Sequence, residues 1–287
     1  MNIICTGNPN KKDFHEYLVR IVNYIESSYQ EKVYVDEFIK DGNMSLNVNY
    51  TKIYGDCIFD LVICIGGDGA LLSAVRRMKK NQYPILGIHI GTLGFLNTST
   101  KSNYLDSIKY ILEKSKEMQI YKKPLISTDF INYKNNKINF LALNEVCISQ
   151  SYVSRVLELN VLVDNIKLNK YKCDGLIIAS PTGSTAYSLS AGGPIVHHNV
   201  NGYVITPVSP FSLSSRSIVV NDNSIIKIIC SDSINDISIF SDGQQSEKIL
   251  PGSHVKVEKS NISAKIIKVP TDMHYFQRLR KQLGWSK

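Results

Sequence analysis

Residues 61–65, Leu-Val-Ile-Cys-Ile, form an unbroken apolar run that stops at Gly66-Gly67-Asp68-Gly69. A strand this apolar has no wet face, so its sheet must be covered on both sides. Sheets covered on both sides are parallel, and parallel strands need a crossover, usually a helix. The residues after the loop supply one: Leu71, Leu72, Val75 and Met78 recur at helical spacing over residues 70–78. The same rhythm runs through the first third of the chain. Residues 2–6 read as a strand, and residues 11–28 as a helix with Phe14, Leu18, Ile21, Val22 and Ile25 on one face. Residues 85–90 read as a second buried strand that ends at Gly91, and residues 104–116 as a further helix. This predicts an α/β domain built on a parallel sheet.

The rhythm changes after Pro124. Residues 130–140 read as two strands around an Asn-Asn turn, and residues 157–163 and 166–171 as a hairpin around Asp164-Asn165. Short strands are also expected at 176–179, 225–230, 237–241, 254–259 and 263–269. The second domain should therefore be an all-β sandwich. The expected division is 1–123, 124–268 and a tail, 269–287, holding a short basic helix with Phe276, Leu279 and Leu283 apolar.

The net charge is +8, from 33 basic and 25 acidic residues, but the lysines are scattered and form no stripe. Nucleic acid is not the expected partner; a mild positive field suits small anionic ligands. None of the six cysteines forms a C-x-x-C pair, which points to free buried thiols in a reducing, cytoplasmic setting. Neither a secretory signal pattern nor a membrane-length apolar run is expected to be present, so no membrane partner is assigned.

Three segments carry chemistry. Gly66-Gly67-Asp68-Gly69 joins the carboxyl end of a buried strand to a helix start, where backbone N–H groups and the helix dipole receive phosphate. It lacks the P-loop lysine, so it is a different phosphate device. Asp68 is either a plain helix cap or a carboxylate that meets a metal or a proton. The second segment is Gly91-Thr-Leu-Gly94-Phe95-Leu96, whose glycines let a ligand approach the backbone and whose Phe95 either stacks on a base or packs in the core. The third runs from Asp174 to Pro194. After Ala179 it is mostly small residues and hydroxyls, which make a poor core but a good hydrogen-bonding wall.

Taken in order, these segments, with Asn144-Glu145, Ser209-Pro210, Asp242-Gly243-Gln244 and the Arg278-Leu-Arg280 tail, resemble the NAD kinase family over nearly the whole chain. The Gly-Gly-Asp-Gly loop alone is shared with phosphofructokinases and diacylglycerol kinases. Pro181-Thr-Gly-Ser-Thr-Ala-Tyr187 followed by Gly192-Gly193-Pro194 is the specific part. The resemblance implies a Rossmann-like first domain of the NAD kinase/diacylglycerol kinase type, with the C-terminal helix packed back on it. It implies transfer of a phosphoryl group from ATP, or another donor such as polyphosphate, to the 2′-hydroxyl of the adenosine ribose of NAD. Asp68 becomes the catalytic residue, and Gly66, Gly67 and Gly69 hold donor phosphates. The implied NAD contacts are Asp68, Gly69, Phe95, Asn144, Glu145, Arg155, Lys172, Asp174, Thr185, Ala186, Tyr187, Ser188, Leu189, Ser190 and Gln244. A divalent cation, expected to be Mg²⁺, is implied on the nucleotide phosphates, with no site of protein ligands alone. A homodimer or homotetramer is implied as well. The chain departs from the family at Ala70, where Thr or Ser is usual, at Phe211, often His, and at Lys172, often Arg. Two competing readings are a lipid or sugar kinase with the same loop, and a nucleotide sensor that has lost catalysis.

Overall fold

A computed structural model of the chain describes residues 1–40, 48–55, 57–91, 94–150, 156–231 and 237–285. The elements run β1 (Ile3–Gly7), α1 (Phe14–Tyr29), β2 (Val33–Asp36), β3 (Asn49–Thr51), β4 (Leu61–Gly66), α2 (Asp68–Met78), β5 (Pro84–His89), β6 (Ser99–Thr100) and α3 (Tyr104–Glu113). They continue with β7 (Gln119–Ile131), β8 (Lys137–Ala142), β9 (Glu145–Gln150), β10 (Leu157–Val163), β11 (Ile166–Cys173), β12 (Gly175–Ala179) and α4 (Tyr187–Ser190). The last are β13 (Gly202–Val208), β14 (Ile218–Asn221), β15 (Ile226–Cys230), β16 (Ile237–Ser241), β17 (Gln245–Ile249), β18 (His254–Lys268) and α5 (Tyr275–Leu283). Two compact units result: Met1–Lys123 with Ala264–Lys287, and Pro124–Ser263.

In the first unit the strands run β18-β5-β4-β1-β2-β3, with β6 beside β5, and these pairings are parallel. β4 is buried at every position, as its composition requires. Helix α1 buries Phe14, Leu18, Ile21, Val22 and Ile25 against the sheet's apolar side chains. The carboxyl ends of β4 and β5 deliver Gly66 and His89 side by side, in register.

The second unit is a sandwich of antiparallel strands. One sheet contains β11-β10-β15 with the first half of β18, together with the β7–β8 pair. The other runs β14-β13-β12-β9-β16-β17. Their facing side chains, among them Phe140, Leu159, Ile178, Ile205 and Ile239, make one core. The expected turns form where the sequence places them: Asp164 and Asn165 both have positive φ, and so does Asn135. The outer face of the second sheet is covered around Ile177, Ala179 and Val204 by the chain that follows β12, through Ala191 and Val196.

Three expectations change. Residues 254–259 and 263–269 belong to one strand, because the polar stretch between them stays extended with its side chains only partly covered. In α5 Leu279 is buried but Phe276 is 56% exposed, and the buried charged residue is Arg278. Of the six free cysteines, Cys57 is exposed and the other five are buried. Among the described residues no helix is long and apolar enough to cross a membrane.

Candidate functional site

Gly67 is the cap of α2, and Asp68 is its first residue. The plain capping role is therefore not what Asp68 does. Its carboxylate turns to the segment after β5 instead, accepting from the Phe95 amide at 2.6 Å, the Leu96 amide at 3.1 Å and the Asn97 side-chain amide at 2.9 Å. A carboxylate offers about four lone-pair directions. Among the described residues Oδ1 receives Leu96 and Asn97 and Oδ2 receives Phe95, so Oδ2 keeps one direction for another donor. Gly94 explains itself here. A Cβ at that position would overlap the Asp68 carboxyl group, so the group approaching this glycine is Asp68, rather than the ligand the sequence suggested. Phe95 is half-buried, and Gly69 is exposed at the helix start. Ala70 is buried, its methyl packed where a Cβ on Gly66 would come within 2.6 Å.

The segment that holds Asp68 is itself held by Arg278. Its Nη1 donates to the carbonyls of Gly94 at 3.3 Å, Phe95 at 3.1 Å and Asn97 at 2.5 Å, and its Nη2 pairs with Asp272. Arg278 is 5% exposed. Sequence reasoning assigned it no role. The available signal was a guanidinium on the same helical face as Tyr275, Leu279 and Gln282.

In the second unit Asn144 and Glu145 sit at the start of β9, and both are buried. The Asp242 carboxylate, in the turn between β16 and β17, accepts from the amides of Leu143 at 2.9 Å, Asn144 at 2.7 Å and Glu145 at 3.2 Å. Ser180 completes the frame: its amide donates to the Asn144 carbonyl at 2.8 Å and its hydroxyl to the Leu143 carbonyl at 2.6 Å. Gly183 packs so closely that a Cβ would strike the Asn144 backbone. With the backbone fixed this way, the buried Asn144 Oδ1 and Glu145 Oε2 have no hydrogen-bond partner among the described residues. A buried polar atom without a partner calls for an explanation, and a bound ligand supplies one. Burial, and then the nearby charge of Asp242, push the Glu145 carboxyl up to about 8. That shift favours the protonated form, which can donate as well as accept. Asp242 entered the sequence analysis only as a motif residue; the structure makes it the fastening point of the Asn-Glu pair.

The remaining sequence-assigned residues divide. Thr185 ends a single 3-10 turn, and α4 follows, with Ala186 and Leu189 partly exposed and Tyr187 and Ser190 exposed. Ser188 faces the other way: it is fully buried and its hydroxyl is 2.9 Å from that of Thr206. Its side chain holds the segment down on the sheet and is not part of the exposed wall that the sequence suggested. Asp174 is exposed between β11 and β12, with its amide donating to the Val208 carbonyl at 3.0 Å. Lys172 is exposed on β11 and paired with Glu158 at 2.8 Å, an acceptor it shares with Lys170. Gln244 is exposed beside Asp242. Arg155 lies outside the described residues.

The parallel α/β unit carries an aspartate fixed at a glycine-rich helix start without a P-loop lysine, and the β-sandwich carries a buried Asn-Glu pair with polar atoms unmatched among the described residues, an arrangement suited to phosphoryl transfer. Comparisons with known proteins give the chain's family. The ATP-NAD kinase N-terminal domain matches residues 3–116 and the ATP-NAD kinase C-terminal domain residues 143–269. The NAD kinase of Thermoanaerobacter sp. (strain X514) is 34% identical over 278 residues, 96% of each chain. That of Syntrophotalea carbinolica is 36% identical over 228 residues, 79% of each chain. The chain belongs to the NAD kinase family. Two solved structures share the fold. A yeast NADH kinase complexed with NADH superposes with a TM-score of 0.88 at 24% identity, over 100% of this chain and 88% of that one. An NAD kinase from Archaeoglobus fulgidus in complex with ATP gives 0.76 at 23% identity, over 99% and 98%.

Proposed function

We propose that the chain moves the terminal phosphoryl group of ATP to the 2′-hydroxyl of the adenosine ribose of NAD, with Asp68 accepting the hydroxyl proton. The observation that carries this is the fixed Asp68 carboxylate, with three N–H donors in place and one direction of Oδ2 open. Phosphoryl transfer passes through a loose transition state, so positioning and charge neutralisation do most of the work. A carboxylate is a feeble base toward a free alcohol. Asp68 therefore orients the 2′-hydroxyl first and takes its proton late, as the new P–O bond forms and the bond to ADP breaks.

The backbone of Gly66, Gly67 and Gly69 faces the donor phosphates in this reading. Asn144, Glu145, Asp174, Phe95, Gln244 and the exposed members of the 185–190 segment bind NAD, with Arg155 and Lys172 toward its pyrophosphate. Mg²⁺ would come with the donor phosphates and, when bound there, would supply charge neutralisation. The residues present fit that arrangement: three of the four lone-pair directions of Asp68 are already taken by N–H donors, which leaves the nucleotide to hold the cation. A homodimer or homotetramer in the cytoplasm completes the proposal; the free cysteines support a reducing compartment.

The test is direct. Purified protein with ATP, Mg²⁺ and NAD⁺ or NADH should yield NADP⁺ or NADPH by coupled assay. Asp68→Asn should bind NAD as the parent does while turnover drops by at least about 100-fold. Near-parental turnover in that variant would falsify the role given to Asp68.

A further inference from the structure

The two backbone amides that reach Asp68 do not choose between its oxygens. The Phe95 amide takes one direction of Oδ2, and the Leu96 amide takes one direction of Oδ1. A carboxylate held by these two alone would present a free direction on each oxygen. The Asn97 side-chain amide ends that symmetry by donating to Oδ1 at 2.9 Å. We infer that Asn97 is a positioning residue: by filling Oδ1 it makes Oδ2 the atom that takes the 2′-hydroxyl proton. The inference rests on the kinase reading and adds to it which oxygen of Asp68 acts and what selects it.

The surroundings of Asn97 are built around that one bond. The residue is 1% exposed, and its donation to Asp68 is the side chain's one hydrogen bond among the described residues. Its own Oδ1 is buried and has no partner among them. An unmatched buried oxygen costs stability. An apolar side chain of the same size would avoid that cost but could not donate to Asp68. Nor can the amide turn over, because its oxygen would then face the carboxylate, acceptor against acceptor. The ionised Asp68 fixes the orientation of the amide, and the amide in turn fixes Asp68.

Room for the amide comes from β5. A Cβ on Gly87 would stand 2.3 Å from Asn97 Oδ1 and 3.0 Å from its Cγ, so only a glycine lets the amide lie against the strand. The backbone is held separately. The Asn97 carbonyl accepts from Arg278 at 2.5 Å, and the Thr98 hydroxyl donates to the Ile267 carbonyl on β18 at 2.8 Å. Arg278 therefore sets the backbone of the segment, while Asn97 acts on the carboxylate itself. The consequence is chemical. With both oxygens open, the 2′-hydroxyl could bond to either, and only one pose aims its oxygen at the phosphorus. Binding survives in both poses and transfer in one, so loss of the amide falls on kcat and not on KM.

Asn97→Ala removes the donor. At neutral pH its kcat should fall about 10- to 30-fold, with the KM values for NAD and ATP within about twofold. Asn97→Asp keeps the shape and separates donation from packing, because the introduced carboxyl donates only when protonated. Asp68 already has two backbone N–H donors that favour its ionised form, so a proton shared by the two carboxyls belongs to the introduced one. The other charges nearby are Arg278 and Asp272, paired with each other, while burial favours the neutral form of the His89 ring. The kcat of Asn97→Asp should therefore lie within about threefold of the parent's at about pH 5.5 and at least about 30-fold below it at about pH 8.5. A kcat within twofold of the parent's in Asn97→Ala, or a ratio to the parent that does not change with pH in Asn97→Asp, overturns the inference. The bond itself is read without turnover. In protein with 15N-labelled asparagine, one Asn97 side-chain proton, assigned by its loss in Asn97→Ala, should resonate downfield and move upfield in Asp68→Ala. An unmoved signal overturns the inference as well. If the parent makes no NADP the kinase reading fails, yet this signal still decides whether Asn97 holds Asp68.

Discussion

The segment that fixes Asp68 and the turn that presents Asn144 and Glu145 are each held by one buried charged side chain, and the two holders have opposite sign. Asp242 accepts from three consecutive amides, those of residues 143, 144 and 145. Arg278 donates to three carbonyls, those of residues 94, 95 and 97. The difference follows from what each backbone has already committed. The amides of Phe95 and Leu96 are spent on the Asp68 carboxylate, so only the carbonyls remain to be gripped, and only a cation with several N–H donors can grip them. At residues 143–145 the amides are free for a carboxylate, and the carbonyls of Leu143 and Asn144 take Ser180 instead.

The holders also differ in how the chain delivers them. Asp242 sits at the end of β16, whose pairing with β9 already places Ser241 opposite Val146. Arg278 comes from α5, close to the end of the chain, and reaches its loop only when that helix docks. The most direct way to break the comparison is to remove Asp242. Asp242→Ala leaves three buried amides without an acceptor and should cost about 3–5 kcal/mol of stability, with NAD affinity reduced in whatever remains folded. Urea titration and NAD binding by calorimetry check both. A variant as stable as the parent would mean that the sheet alone fixes the Asn-Glu pair.

Arg278→Met should act next most strongly, and on a different quantity. It frees the 94–97 carbonyls, strips Asp272 of its partner and loosens the donors that orient Asp68. The expected result is a kcat lowered about 10- to 30-fold with the NAD KM within about twofold. Arg278→Lys should recover little, because one ammonium cannot span three carbonyls and a carboxylate. A rise in NAD KM with kcat unchanged would show that Arg278 serves binding and not the orientation of Asp68.

Glu145 sharpens the comparison from the acceptor side. Its carboxyl is raised from 4.5 to about 8, first by burial and then by Asp242. A raised folded value means that the folded protein holds the proton more tightly than the unfolded chain. The stability from this group is complete below about 4.5 and is lost as pH rises through about 8. Glu145→Gln should therefore match the parent near pH 5 and exceed it at pH 8.5–9, by roughly 2–4 kcal/mol. Thermal unfolding followed across that range decides it; parallel curves for the two proteins would show that Glu145 is ionised in the fold.

Much of this architecture could be read from the chain. The apolar run before Gly66 dictated a buried parallel strand, and the helical spacing of Phe14, Leu18, Ile21, Val22 and Ile25 marks the face that α1 buries. The Asp164-Asn165 pair marks its own hairpin, because few residues tolerate two consecutive positive φ values. The braces were illegible for a physical reason. Arg278 and Asp242 act on backbone groups far away in sequence, and a backbone carbonyl or amide looks the same at every position. Ser188 misled in the opposite way: its hydroxyl-rich neighbourhood suggested a ligand wall, while the 3-10 turn before it rotates that one side chain onto Thr206. Gly94 shows how close packing disguises its cause, since the sequence says that something approaches the glycine but not that it is Asp68.

The smallest expected effect belongs to Lys172. Its register partner across the β10–β11 pair is Glu158, and Lys170 reaches the same carboxylate from two residues earlier. The two ammonium groups together hold the Glu158 carboxyl down at about 2. For Lys172 to meet a pyrophosphate it must leave that carboxylate, and Lys170 keeps Glu158 paired when it does. An exposed cation that trades one partner for another gains only the difference between two screened contacts. Lys172→Ala should therefore raise the NAD KM no more than about threefold, and added salt should narrow the gap between variant and parent. Lys172→Arg, which restores the side chain usual in the family, should lower the KM below the parent's, because a fork can hold Glu158 and a phosphate oxygen together. An NAD KM raised tenfold or more by Lys172→Ala would show instead that this lysine binds NAD as strongly as the buried Asn-Glu pair does.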